Sequence, residues 1–242
     1  MPSAVSTIRA VRDSVCALLR LTVDDTARTF YAVLTGTTWC VVQDEVFVTA
    51  QHVLNDSKPR DPTHKFFVVH APGNGPTLQF WPVTRFLLED SLRDLAVFEA
   101  PVQSGSGIIV PSVPVALSPP ADGTSVVTYG YPAPVVTSAQ VGTGGVLTSL
   151  HTALFTHGAV GIIAAQYPLP TGDTLIEFDV AWHHGESGGP IFELSDTPVA
   201  FSVMQRYRII QGASGPMDGP RQGIALTALG PLLSQLGATV VP

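Results

Sequence analysis

The chain has 242 residues, of which 45% are hydrophobic and 13% charged, and its formal net charge is −7. The hydrophobic content excludes a disordered chain, and the acidic balance argues against nucleic-acid binding, which requires a basic face. No run approaches the ~20 apolar residues of a membrane span, and the N-terminus lacks the pattern of a secretory signal. We therefore expect a folded cytoplasmic protein, long enough for two lobes of about a hundred residues each.

The first half of the chain is predicted to begin with a helix and to continue as a strand meander. Ile8, Val11 and Val15 have near-helical spacing, which predicts a helix over residues 6–20 capped by Ser6 or Thr7. Apolar runs rich in β-branched and aromatic residues follow, and Gly36 separates two of them. Strands are predicted over 21–23, 30–34, 39–42, 46–49, 66–70, 78–81 and 95–98. The polar stretch 55–65 is predicted to be a surface loop.

The second half follows a proline-rich stretch, residues 101–123, which we interpret as a connector between two lobes. Strands are predicted over 125–129, 134–141, 145–150, 161–165, 174–178, 190–194, 199–204, 206–210 and 223–226. A short amphipathic helix over 227–236 closes the chain. Many short strands separated by Gly and Pro turns are typical of an all-β sandwich or barrel.

The two cysteines, Cys16 and Cys40, are too few for a disulfide framework. They leave two alternatives, a single bridge or two buried thiols. The second is favoured in a reducing compartment.

A glycine-rich segment in the second half presents a serine. In Gly185-Glu186-Ser187-Gly188-Gly189-Pro190, the glycines permit a tight turn and let a substrate carbonyl approach backbone N–H groups. A nucleophilic serine needs an exposed hydroxyl and donors aimed at the oxygen that becomes negative. By itself the segment also fits a glycine-rich turn with an incidental serine, so its interpretation depends on its partners.

Two segments of the first half supply such partners. His52 follows the apolar run 46–48, and histidine is the side chain best suited to proton transfer near neutral pH. Asp94 opens the apolar run 95–98, where a desolvated carboxylate needs a partner such as a histidine N–H. The simpler alternatives are a packed or surface histidine and an aspartate bonded to backbone. The order His52, Asp94, Ser187 predicts a triad in a cleft between two lobes.

These segments resemble three motifs of chymotrypsin-like (trypsin-fold) serine proteases. Thr49-Ala50-Gln51-His52 is similar to T-A-A-H, Asp94-Leu95-Ala96-Val97 to D-[IL]-A-[VL], and the Ser187 segment to G-[DN]-S-G-G-P. Residues 91–97, 128–132 and 223–226 are similar to the bacterial HtrA/Deg-like trypsin-like peptidase branch. The resemblance spans residues 12–236 and covers a protease domain without a PDZ domain.

The resemblance implies an all-β, trypsin-like fold of two antiparallel six-stranded β-barrels, with the active site between them and a short C-terminal helix. Residues 1–110, including the N-terminal helix, would form the first lobe and carry His52 and Asp94. Residues 111–242 would form the second lobe and carry Ser187 and the closing helix.

The resemblance also implies a role for each site residue. Ser187 would be the nucleophile, His52 the general base and then acid, and Asp94 the residue that orients His52. The N–H groups of Gly185 and Ser187 would form the oxyanion hole. The substrate backbone would pair with the strand through Ser202, Val203 and Met204. The pocket before the cleaved bond would be shaped by Ala181 and Trp182. The neighbouring His183 and His184, which are unusual for the family, are further candidates for substrate binding, with one of them lining the pocket.

The sequence departs from the family pattern at several of these positions. Glu186 replaces the usual Asp or Asn, and we leave open whether it forms a different ion pair or is an exposed carboxylate. Ala181 brings no acid to the pocket, which favours a small or medium apolar residue there, although Trp182 could narrow or block it. Adjacent histidines such as His183 and His184 project differently, and a metal site needs more ligands, so no metal is predicted.

The function predicted from these residues is a serine endopeptidase that needs no cofactor and takes a polypeptide as substrate. One alternative is a catalytically silent or latent relative that binds peptides or a partner protein through the same cleft. We also leave open whether the chain has an activating or regulatory protein partner. Another alternative is an esterase of different fold, which is disfavoured because His52 precedes Ser187 and a strand-like run follows the serine. The sequence does not indicate an oligomeric state.

Overall fold

The computed structural model describes residues 2–24, 29–55, 61, 63–71, 78–103, 106–132, 134–212 and 215–241. The chain is mostly β. Its helices are α1 Ala4–Val11, α2 Gln51–Asn55 and α3 Gly230–Gln235, and single 3₁₀ turns occupy Arg12–Ser14, Thr143–Gly145 and Leu226–Leu229. No helix among the described residues is long and apolar enough to cross a bilayer.

The first lobe is one antiparallel sheet of seven strands. They are β1 Val15–Asp24, β2 Thr29–Val42, β3 Val46–Thr49, β4 His64–His70, β5 Gln79–Pro82, β6 Arg85–Asp90 and β7 Leu95–Glu99. Their order is β5-β4-β1-β2-β3-β7-β6, and within the described ranges the end strands do not pair with each other. This lobe is therefore a half-barrel.

The second lobe contains a closed barrel. Its strands are β8 Val115–Ala116, β9 Ser125–Gly130, β10 Val135–Gly142, β11 Val146–Ala153, β12 His157–Pro168, β13 Thr174–Val180, β14 Pro190–Glu193, β15 Ala200–Gly212, β16 Gly215–Ala225 and β17 Val240–Val241. The order β14-β9-β12-β13-β16-β15 closes on itself through the β14–β15 pairing. Strands β10 and β11 form a separate hairpin, and β8 and β17 extend the sheet beside β15. The predicted trypsin-like all-β fold, with a closed six-stranded barrel and a C-terminal helix, is confirmed, but the described strands of the first lobe form a seven-stranded half-barrel sheet in place of the other predicted six-stranded barrel.

Each lobe has an aromatic centre that fixes the strands on which the site is built. In the first lobe Phe47 on β3 stacks on Phe98 on β7, with ring centroids 5.9 Å apart. In the second lobe Phe178 on β13 contacts Phe201 on β15 at 6.2 Å. All four side chains are almost fully buried, so the strands that lead into the candidate site belong to rigid parts of the protein.

The N-terminal helix differs from its prediction. It begins at Ala4, and Ser3 caps it by accepting the Ser6 N–H in a capping box, so the predicted cap residues lie inside the helix. It ends at Val11, and the run from Val15 that was predicted to continue it is strand β1. Residues 15–19 are fully buried, and a continuous apolar run does not distinguish a buried strand from a buried helix by periodicity.

Other boundaries also differ from prediction. Gly36 lies inside β2, opposite Leu18 and next to a register shift, so the two predicted strands around it are one. Predicted strands 199–204 and 206–210 are likewise joined in β15. Strand β6 and helix α2 were not predicted, and the closing helix is α3 preceded by a 3₁₀ turn. Most of the predicted 55–65 loop lies outside the described residues.

Helix α1 contacts the second lobe, although it was predicted as part of the first. The Thr7 hydroxyl donates to the Ser195 carbonyl at 2.8 Å, and Ile8 packs where a side chain at Gly158 would otherwise lie. The strands of the first lobe end at Glu99 and those of the second begin at Val115. The boundary at residue 110 stays a prediction.

Candidate active site

Strand pairing brings His52 beside Asp94. Strand β3 pairs with β7 so that Thr49 lies opposite Ala96, and α2 then carries His52 back over the start of β7. His52 Nδ1 lies 2.8 Å from Asp94 Oδ2, and the His52 backbone N–H donates to Oδ1 at 2.8 Å. An ionised carboxylate only accepts, so Nδ1 carries the hydrogen and Nε2 is left as an acceptor. The ring is thus oriented to take a proton at Nε2.

The backbone at Asp94 is held in an unusual conformation. Its φ is 53°, in the left-handed region that non-glycine residues seldom adopt. Its carbonyl accepts the Gln51 N–H at 3.1 Å and the Gln205 side-chain amide at 3.1 Å. Such strain persists only where the surroundings hold it, and here those two donors anchor the residue.

Ser187 lies on the turn that leads into β14, and the first lobe anchors that turn. The Thr37 N–H donates to the Ser187 carbonyl, and the Gly188 N–H donates to the Met204 carbonyl, both at 2.8 Å. A cavity of about 420 Å³ is lined by both His52 and Ser187, together with His184 and Gly185. Among the described residues, the Ser187 hydroxyl hydrogen-bonds only to the Gln205 carbonyl, at 3.3 Å.

Two backbone N–H groups of this turn have no protein acceptor among the described residues. In the described part of the chain, neither the Gly185 N–H nor the Ser187 N–H donates to a protein group. Gly185 has a φ of 97°, which glycine adopts without steric cost, and its carbonyl is turned away to accept the Thr37 hydroxyl at 2.9 Å. Backbone N–H groups without an acceptor, next to a serine, are the kind of donor that an oxyanion site requires.

Glu186 is not an exposed carboxylate, so that alternative is wrong. It is 1% exposed, and its Oε1 lies 2.6 Å from Nδ1 of His157. Its Oε2 accepts the His183 N–H at 2.5 Å. The ion-pair alternative that was left open therefore has a partner, His157 on β12, which sequence reasoning missed.

The four residues predicted to shape the specificity pocket lie in different environments. His184 is exposed and lines the cavity with Ser187, whereas Ala181, Trp182 and His183 do not. Trp182 is 7% exposed, and the Arg221 guanidinium lies 5.8 Å from its ring centroid. Trp182 is thus packed into the second lobe beside the site.

Ser202, Val203 and Met204 do not fit the predicted pairing with a substrate. All three are fully buried. Ser202 and Val203 pair with both β14 and β16, and Met204 pairs with β16 and exchanges backbone hydrogen bonds with the turn before β14. The residues that reach the cleft are the next two along the strand, Gln205 and Arg206. They line a second cavity, of about 600 Å³, together with His52 and Asp94. The change from a largely apolar run to two polar residues was the signal available in the sequence.

Arg93 joins the two lobes next to Asp94 and was also missed. Its Nε donates to Asp173 and its Nη1 to Asp90, both at 2.8 Å. Asp173 lies in the turn before β13, so no local pattern links it to Arg93. The guanidinium fork suits two carboxylates at once.

The comparisons with known proteins concern the family and the fold. The family model described as a trypsin-like peptidase domain matches residues 36–200. Among solved structures, the chain is similar to one described as HtrA-type protease AlgW with decapeptide, with a TM-score of 0.65 and 15% sequence identity over 99% of this chain and 69% of that one. At that identity the likeness shows the fold alone. No curated protein matches the chain.

Proposed function

Because the chain belongs to the trypsin-like peptidase domain family, we propose that it is a serine endopeptidase that uses Ser187, His52 and Asp94. What carries the proposal is one observation. The His52 ring, oriented by Asp94 at 2.8 Å, lines the same cavity as the Ser187 turn. The three residues come from separate segments of the chain, and a peptidase needs a nucleophile, a base and an orienting group together.

The proposed reaction uses each group at a stated atom. Ser187 Oγ attacks the peptide carbonyl while His52 Nε2 takes its proton, and the tetrahedral oxygen binds the N–H groups of Gly185 and Ser187. His52 then gives the proton to the leaving amine, and an acyl group remains on Ser187. A water that His52 activates hydrolyses the acyl group. Throughout, Asp94 stabilises the charged imidazole, and the reaction requires no cofactor.

We assign the substrate to the cleft that Gln205 and Arg206 line. A polypeptide in extended form would pair with β15 from Gln205 onward, since the strand before this residue is paired on both sides. His184 at the rim of the first cavity contacts the residue next to the cleaved bond in this proposal. The proposed location is the cytoplasm, which agrees with Cys16 and Cys40 both being free thiols.

One observation favours the latent alternative. The Ser187 hydroxyl donates to the Gln205 carbonyl, so the hydroxyl must rotate toward His52 before it can react. Catalytic hydrogen bonds are often long in unliganded proteases and form on substrate binding. A protein partner that stabilises the rotated form would act as an activator, and without rotation the cleft would bind peptides only.

Labelling with a fluorophosphonate probe tests the proposal. We expect the wild type to be labelled, and Ser187→Ala and His52→Ala to lose labelling. Ser138→Ala and His151→Ala are matched controls, because both side chains are exposed on the β10–β11 hairpin, and they should be labelled like the wild type. Wild type that stays unlabelled at any probe concentration would contradict the peptidase and support the latent alternative.

A further inference from the structure

Glu186 is a buried carboxylate inside the turn that carries the proposed oxyanion donors. Its 1% exposure means that water does not solvate it, so its charge requires hydrogen-bond donors from the protein. The described residues supply two, the His157 ring at Oε1 and the His183 N–H at Oε2. Both distances are short, as expected for bonds to an ionised acceptor.

These bonds fix the backbone on both sides of Glu186. The Glu186 N–H donates to the His183 carbonyl at 3.2 Å, so side chain and backbone together close residues 183–186 into a turn. The Gly185 N–H precedes Glu186 and the Ser187 N–H follows it. The orientation of Glu186 therefore sets the direction of both donors.

His157 is placed for this contact by the second lobe. It begins β12, where it lies opposite Gly130 of β9. A Cβ at Gly130 would lie 3.3 Å from Glu186 Cγ and 3.0 Å from Thr37 Oγ1, so this glycine leaves space for the Glu186 side chain. The His157 ring also contacts the His183 ring, with centroids 4.8 Å apart. The imidazole, whose side chain is 30% exposed, thus packs between the turn it supports and the barrel.

We propose that His157 is a positioning residue whose Nδ1–H holds the Glu186 carboxylate, and thereby keeps the Gly185 and Ser187 N–H groups directed at the substrate oxygen. The expected effect on catalysis rests on the proposed function, whereas the positioning of Glu186 by His157 is independent of that function. An ionised carboxylate is an acceptor only, so Nδ1 carries the hydrogen in this pair. Loss of that donor leaves the buried carboxylate one hydrogen bond short, and moving Glu186 toward water is the response that would displace the turn.

Two substitutions separate this role from simple packing. His157→Phe keeps a ring but removes the donor, and His157→Asn keeps a donor near the position of Nδ1 in a smaller side chain. For peptide hydrolysis, we expect His157→Phe to lower kcat about 10²-fold, the cost of losing one oxyanion donor, with KM changed less than about threefold. His157→Asn should retain kcat within about tenfold of wild type. His151→Phe, on the exposed face of β11, is the control.

A second measurement makes the test independent of activity. Hydrogen–deuterium exchange of the segment 183–188 should be faster in His157→Phe than in wild type and close to wild type in His157→Asn. If the wild type neither labels nor hydrolyses peptides, the proposed function fails while the exchange data still decide the role of His157. Unchanged exchange in His157→Phe would overturn the inference. Equal impairment of the two variants, following their thermal stability, would also overturn it, because that result is the signature of packing alone.

Discussion

Replacing Gly188 with alanine tests how tightly the turn after Ser187 is packed. Gly188 has a φ of +84°, and a Cβ there would lie 2.1 Å from Thr49 Oγ1 and 2.2 Å from the Thr37 carbonyl oxygen. The Thr49 hydroxyl donates a hydrogen bond to the Thr37 carbonyl at 2.7 Å, so moving either oxygen away from a new Cβ would disturb that hydrogen bond. Gly172 is a matched control, because its φ is +82° and a Cβ at this residue would have nothing within 4 Å.

The two sites separate backbone strain from steric overlap. A left-handed alanine costs roughly 1–2 kcal/mol relative to glycine at either position. At Gly188 the overlap of the new Cβ with these two hydrogen-bonded oxygens adds an overpacking cost of roughly 1–3 kcal/mol. We therefore expect unfolding free energies reduced by about 1–2 kcal/mol for Gly172→Ala and by about 2–5 kcal/mol for Gly188→Ala.

Urea denaturation of the two variants measures this difference. The Gly188 variant should also lose about 10²-fold in kcat/KM toward a fluorogenic peptide, because a shift of Gly188 by about 1 Å would misplace the adjacent nucleophile Ser187. The Gly172 variant should retain wild-type activity. Equal losses of stability in the two variants would refute the tight packing of the turn.

Three further predictions follow from other parts of the structure. Asp94→Asn should lower kcat about 10³–10⁴-fold with little change in KM. Both carboxylate oxygens accept hydrogen bonds from His52, whereas an amide side chain offers only one acceptor oxygen. A loss of kcat below about tenfold would contradict the orienting role of Asp94. Burial lowers the pKa of His70 in the folded protein. The part of the folding stability that depends on neutral His70 is therefore fully present above the unfolded pKa of about 6.5. It is lost as pH falls below that value, because the unfolded state binds the proton more readily than the folded state. His70→Gln, which keeps a donor to the Asp13 carbonyl, should therefore show a smaller fall in Tm than wild type between pH values of about 7 and about 5, and an equal fall would show that His70 is not responsible. Burial raises the pKa of the Cys40 thiol to about 12 and that of the Cys16 thiol well above its ordinary value. Mass spectrometry should therefore show that iodoacetamide modifies neither cysteine in the folded protein and modifies both cysteines in urea. Modification of the folded protein would contradict their burial.

Local sequence was sufficient to identify the segments that form the candidate site. His52, Asp94 and Ser187 each lie in a short motif beside an apolar run, and such a run predicts a buried strand from composition alone. Strand β3 was predicted with its observed bounds, Val46–Thr49. The two buried thiols, favoured over a single bridge because a reducing compartment was expected, are confirmed.

Local sequence was insufficient wherever a residue depends on a distant partner. Nothing within the segment around Glu186 indicates His157, because the contact arises from the position of β12 in the closed barrel. The same holds for Arg93 and Asp173, which meet only where the two lobes face each other. The end of the double pairing along β15, which brings Gln205 and not Ser202 to the cleft, depends on the register with β14 and β16.

The sequence by itself determined which chemistry this chain could carry, because nucleophile, base and orienting acid are residue types set in recognisable local patterns. The tertiary structure decided how that chemistry is supported. Burial of a charge, the direction of a backbone N–H and the free edge of a strand are properties of how distant segments pack, and they follow from contacts that no single segment contains.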